Sequence, residues 1–176
     1  TIDTIKVSSG WISFYENGQI ADCFLGQNPM PIQGIQLKGK QVDVEHSVDD
    51  SGTSFSHSWG GIAYPVTFYP SGALQSGYLH SDTEIDGLTY KAGKYNKSTD
   101  SYYNMIYFYE DGDLYYGTLA ETVALNGINW PAGTEIYFYE DGALNYATIQ
   151  KDAIIGDVNY PAGTTFEYDE DGVLIE

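Results

Sequence analysis

Ile106-Tyr-Phe-Tyr-Glu-Asp-Gly112 and Ile136-Tyr-Phe-Tyr-Glu-Asp-Gly142 are the same seven residues, thirty positions apart. Each opens as a strand, because Ile and Phe alternate with Tyr at the period that sends successive side chains to opposite faces. Each then reverses. Glycine tolerates the positive φ of a tight turn or bulge, and the aspartate before it can bond its own backbone. Looser copies of the turn stand at Gly18 and Gly72, and in all four a second glycine follows 21 residues later, at Gly39, Gly93, Gly133 and Gly163. A fifth, partial copy begins at Phe166 and passes Gly172. Self-similarity at a fixed period marks stacked units, none of which buries its apolar face alone.

Working outward from the second copy, residues 134–163 make a complete unit. Ala143 to Ile149 returns as a second strand, and Ile155-Gly-Asp-Val158 turns the chain again. Its counterparts are Ile85-Asp-Gly-Leu88, Leu125-Asn-Gly-Ile128 and Ile32-Gln-Gly-Ile35. Such pairs between apolar residues are strong short-hairpin signals. Tyr160-Pro-Ala-Gly163 and Trp130-Pro-Ala-Gly133 close the unit, with proline at a strand end where its missing N–H costs no ladder bond. No window carries apolar residues at helical spacing. The predicted fold is all-β: an antiparallel meander of tandem β-hairpin repeats forming a rolled sheet, a sandwich or a β-solenoid-like array. One domain is expected over 1–176, with repeats at about 11–39, 65–93, 105–133 and 134–163 and a partial one at 164–176.

Aligning the copies tests single residues. Five places after the turn glycine stand Cys23, Gly77, Gly117 and Ala147, so the cysteine is expected to fill a tight slot rather than act as a nucleophile. Two places further on, Leu25, Leu79, Leu119 and Ile149 share a core position. His80 falls in a slot that accepts anything and is expected to be exposed.

Seven Lys plus Arg against 25 Asp plus Glu give a net charge of −18. Such a surface repels phosphate backbones and anionic headgroups, so no nucleic-acid partner is expected. No apolar run is long enough for a membrane span. A start at Thr1 rather than Met suits a protein whose leader has been removed, so a secreted or cell-surface location is expected. One cysteine excludes an internal disulfide.

Two insertions interrupt the array at the same junction, at about 40–64 and 94–104, and should emerge on one edge, where repeat scaffolds often bind partners. The larger one reads as a hairpin turning at Asp49-Asp50-Ser51-Gly52, pairing His46 with Phe55 and Val44 with His57. That register makes His46 and His57 diagonal neighbours, an acid–base or metal pair beside Trp59 in the sharp reading and satisfied packing histidines in the ordinary one. No third zinc-type ligand accompanies them. Trp59, Tyr64, Tyr95, Tyr102 and Tyr103 are the candidate ligand- or partner-binding residues, since aromatic rings stack on sugars or anchor proteins. No cofactor is expected; Asp49 and Asp50 are the candidates for a weak calcium contact, without the full ligand series of a calcium loop.

The unit Phe-Tyr-Glu-Asp-Gly-x-Leu, followed by Asn-Gly-Ile and Pro-Ala-Gly-Thr, resembles repeats of bacterial exported and lipoprotein-like proteins, and more loosely the aromatic-glycine repeats of cell-wall-binding and MORN-type modules. The resemblance implies a secreted or surface β-repeat protein and carries no activity, residue by residue. The expected function is a non-enzymatic binding or assembly module that engages itself, another protein or a glycan, through strand edges and the inserted edge. The alternative is a small β-fold enzyme (hydrolase, isomerase or cyclase) with a pocket under the inserted hairpin and His46 or His57 as acid or base.

Overall fold

The computed structural model describes residues 5, 7–26, 29–48 and 54–175, with the backbone alone for 7–11, 41–48 and 54–61. In the first repeat Val7–Phe14 (β1) and Ile20–Leu25 (β2) pair, followed by the short hairpin of Met30–Ile32 (β3) and Ile35–Leu37 (β4). Gln41–Val48 (β5) and Ser54–Ile62 (β6) form the larger insertion. Pro65–Phe68 (β7), Leu74–Tyr78 (β8), Thr83–Ile85 (β9) and Leu88–Tyr90 (β10) repeat the plan, and Lys94–Asn96 (β11) with Ser101–Tyr103 (β12) is the smaller insertion. The third repeat is Met105–Phe108 (β13), Leu114–Thr118 (β14), Val123–Leu125 (β15) and Ile128–Trp130 (β16). The fourth is Glu135–Phe138 (β17), Leu144–Thr148 (β18), Ala153–Ile155 (β19) and Val158–Tyr160 (β20), before Thr165–Glu167 (β21).

The first two strands of every repeat join one antiparallel sheet of nine strands, in the order β1-β2-β7-β8-β13-β14-β17-β18-β21. The sheet is an open meander. It does not close, and β1 and β21 are its edges. Among the described residues no helix is long and apolar enough to cross a membrane.

Sequence chemistry explains the repeated geometry. At the first turn Gly112 (φ 102) and Gly142 (φ 81) sit where a side chain would be strained, and the register shifts between Tyr107 and Phe108 and between Tyr137 and Phe138. That bulge keeps Phe108 and Phe138 on the inner face with Leu114 and Leu144, all four buried. The short hairpins fold over this same face. They deliver Ile32, Leu37, Tyr90 and Trp130 into one core cluster with the inward residues of the sheet. At their tips Asp86-Gly87 (φ 52 and 78) and Asn126-Gly127 (φ 49 and 75) have both central residues at positive φ, the turn that matches strand twist.

The small-residue slot is where each short hairpin bears down on the next repeat. A Cβ added at Gly117 would lie 2.4 Å from Cδ1 of Tyr90, and one at Gly77 would lie 2.9 Å from Cδ1 of Leu37. Cys23 occupies the same slot and is buried; burial, and then neighbouring Asp22, push its thiol up to about 11. A thiol held protonated in a packing slot is no nucleophile. Leu25, Leu79, Leu119 and Ile149 are fully buried and His80 is exposed, as the internal alignment predicts.

A second recurring device locks repeat to repeat. The hydroxyls of Tyr15, Tyr69, Tyr109 and Tyr139 donate to the carbonyls of Phe68, Phe108, Phe138 and Tyr168, at 2.8, 2.9, 2.8 and 2.9 Å. Each bond spans from one copy to the same slot of the next.

The larger insertion is a hairpin, but its register corrects the expected one. Val48 pairs with Ser54 rather than Thr53, His46 with Ser56 and Glu45 with His57. The connection between the paired ends is one residue longer than expected. A one-place slip exchanges the faces of an antiparallel ladder, so His46 and His57 occupy positions on opposite faces instead of a shared one.

Candidate functional site: a tyrosine-walled groove at the insertion seam

The outer face of the sheet is crossed by one row of paired residues. In register it runs Ser13, Asp22, Thr67, Ser76, then Tyr107, Tyr116, Tyr137 and Tyr146, then Glu167. The alternation that sends Ile106 and Ile136 into the core sends these tyrosines out. Early repeats fill the row with small polar groups, where Thr67 and Ser76 share a 2.7 Å hydrogen bond. Later repeats fill it with phenols whose ring centroids follow at 5.7, 4.4 and 4.0 Å, the last pair stacked at 22°.

The smaller insertion folds onto this face at the point where the row changes character. In the β11–β12 hairpin Tyr95 pairs with Tyr102, their rings 4.8 Å apart, and the Tyr95 hydroxyl donates to the Asp100 carboxylate. Tyr102 in turn packs on Tyr64 and Tyr78, both at 5.5 Å, and its hydroxyl donates to the Ala63 carbonyl at 2.8 Å. Residues of the two insertions therefore meet at one seam. Asn104 (φ 58) latches the hairpin by donating to the Ala92 carbonyl at 2.9 Å. Beneath the cluster Lys38 lies 5.2 Å over the Tyr64 ring and donates to the Gly93 carbonyl; burial lowers the pKa of its ammonium.

Between hairpin and row runs an open groove of about 460 Å³. It is lined by Tyr102 and Tyr103 of the inserted hairpin with Asn104 beside them, and by Tyr78, Met105, Tyr107, Tyr115, Tyr116, Glu135 and Tyr137 of the sheet. Burial, reinforced by the Glu135 carboxylate, raises the pKa values of Tyr116 and Tyr137 well above the ordinary phenol value, and burial does the same to Tyr78 and Tyr102. These four side chains are neutral phenols at physiological pH. Among the described residues that line the groove Glu135 is the one carboxylate, and none is a lysine.

Of the residues proposed from sequence, Tyr102 and Tyr103 line the groove, and Tyr64 and Tyr95 support it through Tyr102. Tyr64 is only 2 % exposed, so it is a support and not a contact surface. Asp49 and Asp50 lie outside the described residues, as do the side chains of His46, His57 and Trp59. Among the described residues no three His, Cys, Asp or Glu side chains gather as a metal site would require. The sequence reading missed Tyr107, Tyr115, Tyr116, Glu135 and Tyr137, which it took for scaffold. A signal was present: the row position held by Ser13 and Thr67 in the first two repeats is Tyr107 and Tyr137 in the later ones, and Asp22 and Ser76 give way to Tyr116 and Tyr146. No protein-family model, curated protein or solved structure matches this chain.

Proposed function

We propose that this chain is a non-enzymatic binding module, a repeat scaffold that holds its ligand in the tyrosine groove at the insertion seam. The observation that carries this reading is convergence. Tyr102 and Tyr103 from an inserted hairpin and Tyr107, Tyr116 and Tyr137 from the repeat body face one groove, at the junction where the array departs from its period. Scaffold packing needs no such insertion. Aromatic walls with a few polar groups are the ordinary make-up of a ligand site. The competing enzyme reading uses His46 or His57 as acid or base under the inserted hairpin, and the register there puts the two at positions on opposite faces, so they form no cross-strand pair. The secreted or surface setting rests on the resemblance to exported repeats and on the strongly acidic surface.

Saturation-transfer NMR of the whole chain against a mixed library of small neutral, cationic and anionic compounds tests the site. Tyr103 and Tyr107 are well exposed, so Tyr103→Ala and Tyr107→Ala should leave the melting temperature within a few degrees. Binders found with the native chain should lose their signal with both variants. Binders that respond to neither variant would refute the groove as the site.

A further inference from the structure

We infer that the ligand of the groove is a neutral oligosaccharide. This rests on the reading of the groove as the binding site and adds its chemistry. An anionic ligand is disfavoured twice, by the net charge of −18 and by Glu135 in the wall, where none of the described lining residues is a lysine. A cationic ligand would need free ring faces converging on one point. Here the rings of Tyr137 and Tyr64 are already engaged. Tyr137 is covered at 4.4 Å by Tyr116 and at 4.0 Å by Tyr146, and the Tyr64 ring already carries the chain's own Lys38 at 5.2 Å. The Glu135 carboxylate adds a hydrogen-bond acceptor to the wall. Tyr103 (46 % exposed) and Tyr107 (36 % exposed) keep open ring surface at the two walls.

Length argues the same way. Three tyrosines of the row, Tyr107, Tyr116 and Tyr137, line the groove on neighbouring strands, so its two inter-strand steps span roughly 10 Å. That is the reach of a short run of pyranose rings. A neutral saccharide chain presents apolar C–H faces and equatorial hydroxyls in turn, which matches the open ring surface of Tyr103 and Tyr107 and the Glu135 acceptor. It also gives a strongly acidic protein a partner that charge does not repel.

The test uses the full chain with ¹³C-labelled tyrosine rings, titrated separately with neutral tetrasaccharides (β-linked glucose, α-linked glucose and β-linked N-acetylglucosamine), with oligogalacturonate and with tetramethylammonium chloride. The expected result is saturable movement of the Tyr103, Tyr107 and Tyr137 resonances with at least one neutral tetrasaccharide and none with oligogalacturonate. Tyr107→Ala should then raise the Kd by about tenfold or more, and Tyr103→Phe by less. If tetramethylammonium moves the groove tyrosines and no neutral sugar does, the groove stands and the saccharide assignment falls. If a sugar binds while only tyrosines elsewhere move, the groove reading falls with it. If no neutral tetrasaccharide moves any resonance, the inference is overturned.

Discussion

Tyr90 and Tyr109 fill the same need for an aromatic body in the repeat, yet their hydroxyls meet opposite fates. The Tyr109 hydroxyl donates to the Phe138 carbonyl of the next copy, whereas that of Tyr90 is buried without a hydrogen-bond partner among the described residues. One substitution should therefore act with opposite signs. Tyr109→Phe is expected to destabilise by about 0.5–1.5 kcal/mol, the net value of one hydrogen bond. Tyr90→Phe keeps the ring over Gly117 and is expected to stabilise by about 1 kcal/mol, because burying an unpaired hydroxyl has a cost. Urea unfolding of both variants checks the pair, and a loss of stability in Tyr90→Phe would mean that its hydroxyl has an acceptor after all. Sequence comparison between copies exposed the slots themselves, including the small position of Cys23, Gly77, Gly117 and Ala147. It could not show where a hydroxyl goes, since the acceptor is a backbone carbonyl one repeat away.

The strand is the scale at which the sheet was legible and the site was not. Alternation, turn glycines and closing prolines specify each hairpin locally, so the meander can be read from residues 106–149 alone. Register over a longer loop depends on how many residues the turn consumes, and there a one-place slip separated His46 from His57. The groove escaped for another reason: cross-strand pairing, invisible in a single strand, is what aligns Tyr107, Tyr116, Tyr137 and Tyr146. That row has a consequence for alkaline stability. Burial raises the pKa values of Tyr116, Tyr137 and Tyr146 above the usual value of about 10 for a phenol in an unfolded chain. Below pH 10 both states keep the proton and the stability is intact. Above it the unfolded chain binds fewer protons than the folded one, so stability falls as pH rises. An ultraviolet titration should show exposed tyrosines ionising first and the buried row ionising with loss of the fold. A single transition near pH 10 with the fold retained would contradict the packing of the row.

For the whole molecule, the decisive property is that the sheet stays open, which the repeat pattern alone left undecided because closure depends on shear. Its far edge is distinctive. After β21 the chain turns and Leu174 bridges Tyr168, while Val173, Leu174 and Ile175 are 59, 45 and 61 % exposed. Leu174 stands in the repeat slot that buries Leu144 to 2 %. Exposed apolar residues on an edge segment can be covered by another strand, and for the described residues the partner proposed is a second copy of this chain. Fully burying a Leu or Ile side chain contributes about 1.5–3 kcal/mol, which loss of overall freedom on association largely offsets, so pairing should be weak and concentration-dependent. The net charge of −18 opposes it further. Added salt, by screening that repulsion, should therefore strengthen association, the reverse of contacts held by opposite charges. Sedimentation velocity across a concentration series at low and high salt would show this, with Ile175→Lys shifting the midpoint upward by about tenfold as a charge enters the edge. A strict monomer at every concentration and salt level, or association that salt weakens, would remove the edge as an assembly surface and leave the groove as the one recognition element proposed for this fold.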